Sequence, residues 1–204
     1  MVKNNPEPAS STPRKKIAIF ASGQGSTMKA IVEACEEGKL NAEVKLLVSN
    51  QKTSGAVLQA QSKDISVHII ETKPSDDPTP SEKILLEKLI NCKIEWILLL
   101  GYTRKISSTI LSNFRDRVVN THPSLLPKFG GKGFFGKKVH QAVLDSGESI
   151  TGVTVHLVNE EYDSGKILSQ VEVQVKINDS LGTLEQRVKQ AEKKHLIGVL
   201  KKIW

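Results

Sequence analysis

The architecture of the chain is set by Lys16-Ile-Ala-Ile-Phe-Ala21 and by the Ser22-Gly-Gln-Gly-Ser26 that follows at once. The first part is short, apolar and β-branched, as expected for a buried strand. From Thr27 to Glu37 apolar residues recur at helical spacing, and Gly38 ends the helix. A strand that turns through glycines directly into a helix is the opening unit of a parallel α/β sheet.

Strand and helix patterns alternate along the rest of the chain. The alternation up to residue 120 predicts parallel βαβ units, and two late strands predict an antiparallel edge. The predicted fold class is therefore α/β, a mostly parallel twisted sheet with flanking helices. Further strands are predicted at Glu43–Ser49, Val67–Ile70, Glu95–Leu100 (the central strand), up to Asn120, Gly152–Val158 and Ile167–Val175. Further helices are predicted at Ser54–Ser62, Thr79–Asn91, Ser107–Asn113, Lys137–Ser146 and Leu181–Ile203.

The glycine loop, Ser22–Ser26, has the composition of an anion-binding turn. Glycine lets the backbone approach a ligand, and the N-terminus of the following helix presents free N–H groups, so a phosphate is the natural occupant. The loop has neither the Lys of a P-loop nor the third Gly of the dinucleotide-binding motif. The alternative is a tight turn in which Ser26 or Thr27 caps the helix.

A second informative segment is Val118-Val-Asn-Thr-His-Pro-Ser-Leu-Leu-Pro127. Asn120 and His122 are two residues apart on an extended strand, so their side chains point the same way, at a strand end where open α/β sheets bind ligands. An amide donor beside a group that titrates near neutral pH suits acyl transfer. The alternative is a capped strand followed by a rigid, proline-bounded loop.

The charge and aromatic content of the chain limit the classes of partner that it is expected to bind. The 204 residues carry a formal net charge of +7, with scattered lysines and only 4% aromatic residues. A stacking platform for nucleic acid is therefore not expected, whereas an anionic small substrate or a solvated basic surface is. No apolar run approaches the roughly 20 residues of a membrane span. We predict no nucleic-acid and no membrane partner.

The cysteines and the N-terminus indicate the compartment. Cys35 and Cys92 have no metal-binding spacing, and we predict that both are reduced packing residues. Residues 1–14 are polar and lack the apolar core of a secretory signal. The alternative to a disordered tail is a remnant of an organelle-targeting peptide. We predict a disordered tail at 1–14, a single domain at 15–204 and a cytoplasmic location.

Five motifs together resemble the phosphoribosylglycinamide formyltransferase family over about residues 15 to 200. They are Ser22-Gly-x-Gly-Ser26, Gly101-Tyr-x-Arg104, Asn120-x-His122-Pro-Ser-Leu-Leu-Pro127, Gly152-x-Thr-Val-His156 and Asp163-x-Gly165. The resemblance implies a Rossmann-like formyltransferase fold. It also implies transfer of the formyl group of 10-formyltetrahydrofolate, the co-substrate, to glycinamide ribonucleotide in purine synthesis, without a metal, by a monomer or homodimer.

The resemblance also implies a site. Asn120 and a protonated His122 would donate to the oxyanion of a tetrahedral intermediate, and Asp163 would raise the pKa of His122 and assist proton transfer. We predict that His156 either is packed or supports the catalytic residues from behind, and that His68, His140 and His195 are structural or solvent-facing. The implied ribonucleotide contacts are Gly25, Ser26 and Thr27 at the phosphate together with Glu192, and the implied folate contacts are Thr103, Arg104, Lys105, Ile106 and Asn120.

The chain departs from the family pattern in three places. Thr27 stands where the family usually has Asn, which keeps the backbone donor but removes an amide. No Arg or Lys lies in Pro78–Glu82, where some members hold the folate tail. The glycine-rich segment Phe129–Gly136, a candidate mobile flap, is longer than in many members.

Rival interpretations differ in what else they need. Methionyl-tRNA formyltransferase adds a C-terminal domain and formyltetrahydrofolate deformylase an N-terminal one, and 204 residues are expected to leave room for neither. A plain nucleotide-binding module would explain the glycine loop, but it would not need Asn120, His122 and Asp163 together.

Overall fold

The structure, a computed structural model, describes residues 13–70 and 80–204. The predicted tail up to residue 12, the start of the third helix at Thr79 and part of the Pro78–Glu82 segment lie outside these residues. The described chain forms β1 (Lys15–Phe20), α1 (Ser26–Glu36), β2 (Ala42–Ser49), α2 (Gly55–Ser62), β3 (Ser66–Ile69), α3 (Pro80–Asn91), β4 (Trp96–Leu99), α4 (Ser108–Asn113), β5 (Val118–His122), α5 (Lys137–Asp145), β6 (Ile150–Leu157), β7 (Ile167–Gln174) and α6 (Leu181–Ile203).

The strands form one sheet in the order β3-β2-β1-β4-β5-β6-β7. Strands β1 to β5 are mutually parallel. Strand β6 runs antiparallel to β5, and β7 runs antiparallel to β6. The predicted fold class, a mostly parallel sheet with an antiparallel edge, is confirmed, and β4 is the middle strand as predicted.

Strand β1 shows why both faces of the sheet are covered. Ile17 and Ile19 pack on one side with α1, α2 and α6, whereas Ala18 and Phe20 pack on the other side with α3 and α4. All four are fully buried. Burying a large side chain of this kind contributes about 1.5–3 kcal/mol. Because helices cover both faces, the open carboxyl ends of the parallel strands are the natural place for a ligand.

The turn between β1 and α1 lacks the side-chain cap that the alternative interpretation of the glycine loop predicted. Gly25 occupies the N-cap of α1, and no side chain makes a capping hydrogen bond there. The expectation that Ser26 or Thr27 caps this helix is therefore wrong, and the Thr27 hydroxyl bonds elsewhere. Within residues 13–70 and 80–204, we find no helix with both the length and the apolar character to cross a bilayer.

Candidate active site

A cavity of about 690 Å³ opens where the carboxyl ends of β1, β4 and β5 meet the loops around them. The glycine loop, the segment after β4, the end of β5, the flap, the loop after β6 and one side of α6 all contribute to its wall. Every residue that the sequence predicted for the site lies on this wall: Gly25, Ser26, Thr27, Thr103, Arg104, Lys105, Ile106, Asn120, His122, Asp163 and Glu192.

Asn120, His122 and Asp163 meet at one end of the cavity. His122 Nδ1 lies 3.4 Å from Asp163 Oδ2, and Asn120 Nδ2 lies 3.4 Å from Asp163 Oδ1. Asn120 and His122 therefore face the same point, as their spacing on β5 predicted. Folding brings together residues from β5 and from the acidic loop, Asn159–Gly165, that are remote in sequence.

The reversed strand β6 supplies a fourth side chain. His156 is directly opposite Asn120 in the β5–β6 ladder, and the Nδ2 and Nε2 atoms of this pair are 3.0 Å apart. His156 Nδ1 donates to the carbonyl of Leu157 at 2.8 Å, so its Nε2 accepts from the Asn120 amide. His156 is 1% exposed, which agrees with the predicted packed histidine, and it orients Asn120.

The flap bonds to both His122 and Asp163 through its backbone. The Gly131 N–H donates to Asp163 Oδ2 at 2.9 Å, and His122 Nε2 donates to the carbonyl of Phe129 at 2.7 Å. A carbonyl only accepts, so the hydrogen of neutral His122 is on Nε2 and the lone pair of Nδ1 faces Asp163.

Asp163 raises the pKa of His122, as predicted, but the net direction differs from the prediction. Burial of the ring lowers the pKa of His122 below its usual value, and the attraction of Asp163 and the bond to Phe129 only partly oppose this. The sequence identified the neighbouring carboxylate but not the degree of burial, and burial is the larger effect here. The ring is 4% exposed.

Asp163 is ionised at neutral pH. Burial by itself would raise its pKa, but the adjacent His156 and His122 rings and the hydrogen bond from the Gly131 N–H together bring the pKa below its ordinary value. The backbone of Asp163 is left-handed, with φ 53°, a conformation that Asp and Asn tolerate better than most residues. The result is a carboxylate that can accept a proton.

The other end of the cavity is the N-terminus of α1. Gly25 has φ 75°, and a Cβ at this position would lie 2.7 Å from Ala56 Cα, so glycine is needed for both the turn and the approach to α2. The first N–H groups of a helix have no partner within it and carry the positive end of its dipole. Backbone donors of Ser26 and Thr27 therefore face an anion-binding position.

Glu192 extends from α6 to the same end. Its Oε2 accepts from the Thr27 hydroxyl at 2.8 Å, and its Oε1 accepts from the Thr121 hydroxyl at 2.5 Å. Thr121 is not among the site residues predicted from the sequence. The alternation of side chains along β5 could have identified it. Val119 lies in the core with α1 and α6. Thr121, two residues further along the strand, must therefore point to the same side.

The segment after β4 forms the third wall. The Thr103 N–H donates to Ser22 Oγ at 3.1 Å, which ties this segment to the glycine loop. Arg104 donates to the carbonyl of Ile70, and Ile106 is buried. His140, expected to be structural or solvent-facing, is buried and also lines the cavity.

Comparison with known proteins agrees with this architecture. The sequence model of the Formyl transferase family matches residues 15–200. The phosphoribosylglycinamide formyltransferase of Bacillus subtilis is 34% identical over 189 residues, which are 93% of this chain and 94% of that protein. The chloroplastic phosphoribosylglycinamide formyltransferase of Arabidopsis thaliana is 44% identical over 190 residues. These are 92% of this chain but 64% of the plant protein, so the chain spans less than two thirds of that relative.

A solved structure supports the same grouping. The crystal structure of phosphoribosylglycinamide formyltransferase from Bacillus halodurans superimposes with a TM-score of 0.85 at 31% identity, covering 93% of this chain and 95% of that one. The resemblance predicted from the five motifs is confirmed. The chain belongs to the formyl transferase family.

Proposed function

We propose that this protein transfers the formyl group of 10-formyltetrahydrofolate to the primary amine of glycinamide ribonucleotide. The observation that carries the proposal is the convergence of Asn120, His122 and Asp163 on the wall of a cavity whose far end is the N-terminus of α1. Acyl-transfer groups and an anion-binding position then share one cavity. The relatives named phosphoribosylglycinamide formyltransferase support this choice of substrates.

In the proposed reaction, the amine nitrogen of the ribonucleotide attacks the formyl carbon and a tetrahedral intermediate forms. Asn120 donates to the oxyanion through the amide hydrogen that now makes only a 3.4 Å contact with Asp163. His122 donates to the oxyanion through its Nε2–H, and its hydrogen bond to the Phe129 carbonyl breaks when it does so. Preorganised donors of this kind are each worth on the order of 10²–10³ in rate.

Asp163 carries the proton in this scheme. As an ionised carboxylate it accepts a proton from the attacking amine, directly or through water. It then returns that proton to the departing folate nitrogen when the carbon–nitrogen bond breaks. The products are the formylated ribonucleotide and tetrahydrofolate, and the charge of the site is unchanged at the end.

We place the substrates by the chemistry of the walls. The N–H groups of Gly25, Ser26 and Thr27 would hold the phosphate, and Glu192 would accept from ribose hydroxyls. The folate ring system would lie along Thr103, Arg104, Lys105 and Ile106, where a buried isoleucine and backbone polar groups lie side by side. No step depends on a metal.

A spectroscopic assay of the purified protein with 10-formyltetrahydrofolate tests the proposal. We expect loss of the formyl folate only when glycinamide ribonucleotide is also present, in a ratio of one to one. Loss of formyl folate without the ribonucleotide would instead indicate a deformylase, and no reaction with either would end the proposal. The cytoplasmic location, the single domain and the choice between monomer and homodimer stay predictions.

A further inference from the structure

Three elements converge on the carboxyl group of Glu192. Thr27 on α1 donates to one oxygen at 2.8 Å, and Thr121 on β5 donates to the other at 2.5 Å, while Glu192 itself belongs to α6. Thr27 is 8% exposed and Thr121 is 6% exposed, whereas Glu192 is half-buried and lines the cavity. We call this pair of threonine hydroxyls on Glu192 the hydroxyl clamp.

The clamp holds the carboxyl group through two neutral hydroxyl groups. Each carboxylate oxygen has about two acceptor positions, so one threonine hydroxyl per oxygen leaves one position on each for another donor. Two adjacent acceptors held in one plane match two neighbouring hydroxyl groups of a sugar. Burial raises the pKa of Glu192, and the two hydroxyl bonds oppose that rise by favouring the ionised form.

The place of the carboxylate makes its orientation important. Thr27 is the second residue of α1, so Glu192 lies close to the N–H groups that face the anion-binding position. A carboxylate free to rotate there would compete with a phosphate for those donors and would repel it. A carboxylate that is held in place can accept from a sugar instead.

We propose that Thr27 and Thr121 are positioning residues, which orient Glu192 to accept from neighbouring sugar hydroxyls of the nucleotide substrate. The inference rests on the proposed function and adds to it two residues that do not themselves touch the reacting atoms. It also gives the Thr27 side chain a function of its own, because its hydroxyl bonds Glu192 where the family usually has an amide.

The test replaces each hydroxyl by a methyl group of nearly the same shape. Thr27→Val and Thr121→Val should each raise the KM for glycinamide ribonucleotide roughly 10- to 100-fold, the range expected for one hydrogen bond to a charged group. Turnover and the KM for the formyl folate should stay nearly unchanged, since the clamp does not contact the formyl group. Thr27→Ser keeps the hydroxyl and should restore the KM.

A double-mutant cycle separates positioning from packing. In a Glu192→Gln background, Thr27→Val should add little further change, because a hydroxyl that acts through the carboxylate has nothing left to orient. Thr151→Val is the matched control, since Thr151 is buried and its hydroxyl has no hydrogen-bond partner in the described part of the chain. This control should leave every kinetic constant as it was.

Direct titration of the ribonucleotide into each variant distinguishes the two proposals. Unchanged Kd and KM in both valine variants would overturn the clamp while leaving the formyl transfer standing. Wild-type binding that weakens in the valine variants, without formyl transfer, would sustain the clamp and end the proposed reaction. If Thr27→Val raised the KM by the same factor in the Glu192→Gln background as in the wild type, the threonines would be assigned to packing alone.

Discussion

At one end of the cavity Asn120, His122 and Asp163 contact one another through their side chains, whereas at the other end α1 offers backbone N–H groups. The first end depends on which side chains are present, because an amide, an imidazole and a carboxylate are not interchangeable. The second depends on the path of the backbone, which Gly25 determines through a positive φ. Substitutions should therefore lower turnover at the first end and weaken binding at the second.

The side-chain end gives the largest expected effect. Asp163→Asn should lower kcat by about 10²–10⁴-fold, because an amide cannot accept the amine proton. The fold should persist, since Asn tolerates the left-handed backbone found at this position. Steady-state kinetics together with titration of the ribonucleotide would measure both effects.

Asp116→Asn is the control for that substitution. Asp116 is exposed and has φ 56°, so the same chemical change is made on nearly the same backbone conformation. It should leave kcat and both KM values intact. If the Asp163→Asn variant turned over as fast as the wild type, the proposed difference between the side-chain end, where substitutions lower turnover, and the backbone end, where they weaken binding, would be wrong.

The backbone end is tested with two glycines of the same helix. Gly25 precedes α1 with φ 75°, and Gly38 follows it with φ 69°. An L side chain in this region costs about 1–2 kcal/mol, so both Gly25→Ala and Gly38→Ala should lower the free energy of unfolding. Only the Cβ at residue 25 meets a neighbour, Ala56 Cα at 2.7 Å, whereas none is within 4 Å at residue 38.

The two alanine variants should therefore differ in binding more than in stability. We expect Gly25→Ala to raise the KM for the ribonucleotide because the turn must shift, and Gly38→Ala to leave it unchanged. Chemical denaturation and kinetics on the same samples would compare the two. An equal KM for both variants would show that the conformation of Gly25 does not matter for the anion-binding position.

Most of the fold could be predicted from sequence because its signals are local. Unbroken apolar strands such as Ile17–Phe20 and the helical spacing after Thr27 indicate a two-sided sheet before any contact is known. The predicted bounds differ from the structure by one or two residues, as at β1, which begins at Lys15, and at β6, which begins at Ile150. Bounds depend on tertiary hydrogen bonds, and those are not local.

The site could be predicted only in part. The spacing of Asn120 and His122 gave their shared direction, but the partnership of Asn120 with His156 depends on the register of an antiparallel pair. Thr121 was missed because its partner Glu192 is 71 positions away, on α6. The effect of Asp163 on the pKa of His122 was predicted, but the net lowering was not, because burial is a property of the folded chain.

The smallest expected effect tests that last point. Burial holds the pKa of His122 below its usual value of about 6.5, and Asp163 partly offsets this. NMR titration of the imidazole should therefore find a pKa below that value, and Asp163→Asn should lower it further. A pKa above about 6.5 would instead support the imidazolium expected from the sequence, and His122 and Asp163 would then form an ion pair.

The same shift has a consequence for stability, with a definite sign. A histidine whose pKa is lower in the folded chain binds fewer protons than in the unfolded chain. The stability is therefore fully present above about pH 6.5 and is lost as the pH falls through the folded pKa. The pKa values of His68, His140 and His195 are also lowered by burial, so an unfolding curve reports these histidines and His122 together with the carboxyl groups whose pKa values are shifted. Comparing the pH dependence of unfolding between the wild type and His122→Gln isolates the contribution of His122. The variant should lose less stability on acidification, and an identical loss would place His122 outside this linkage.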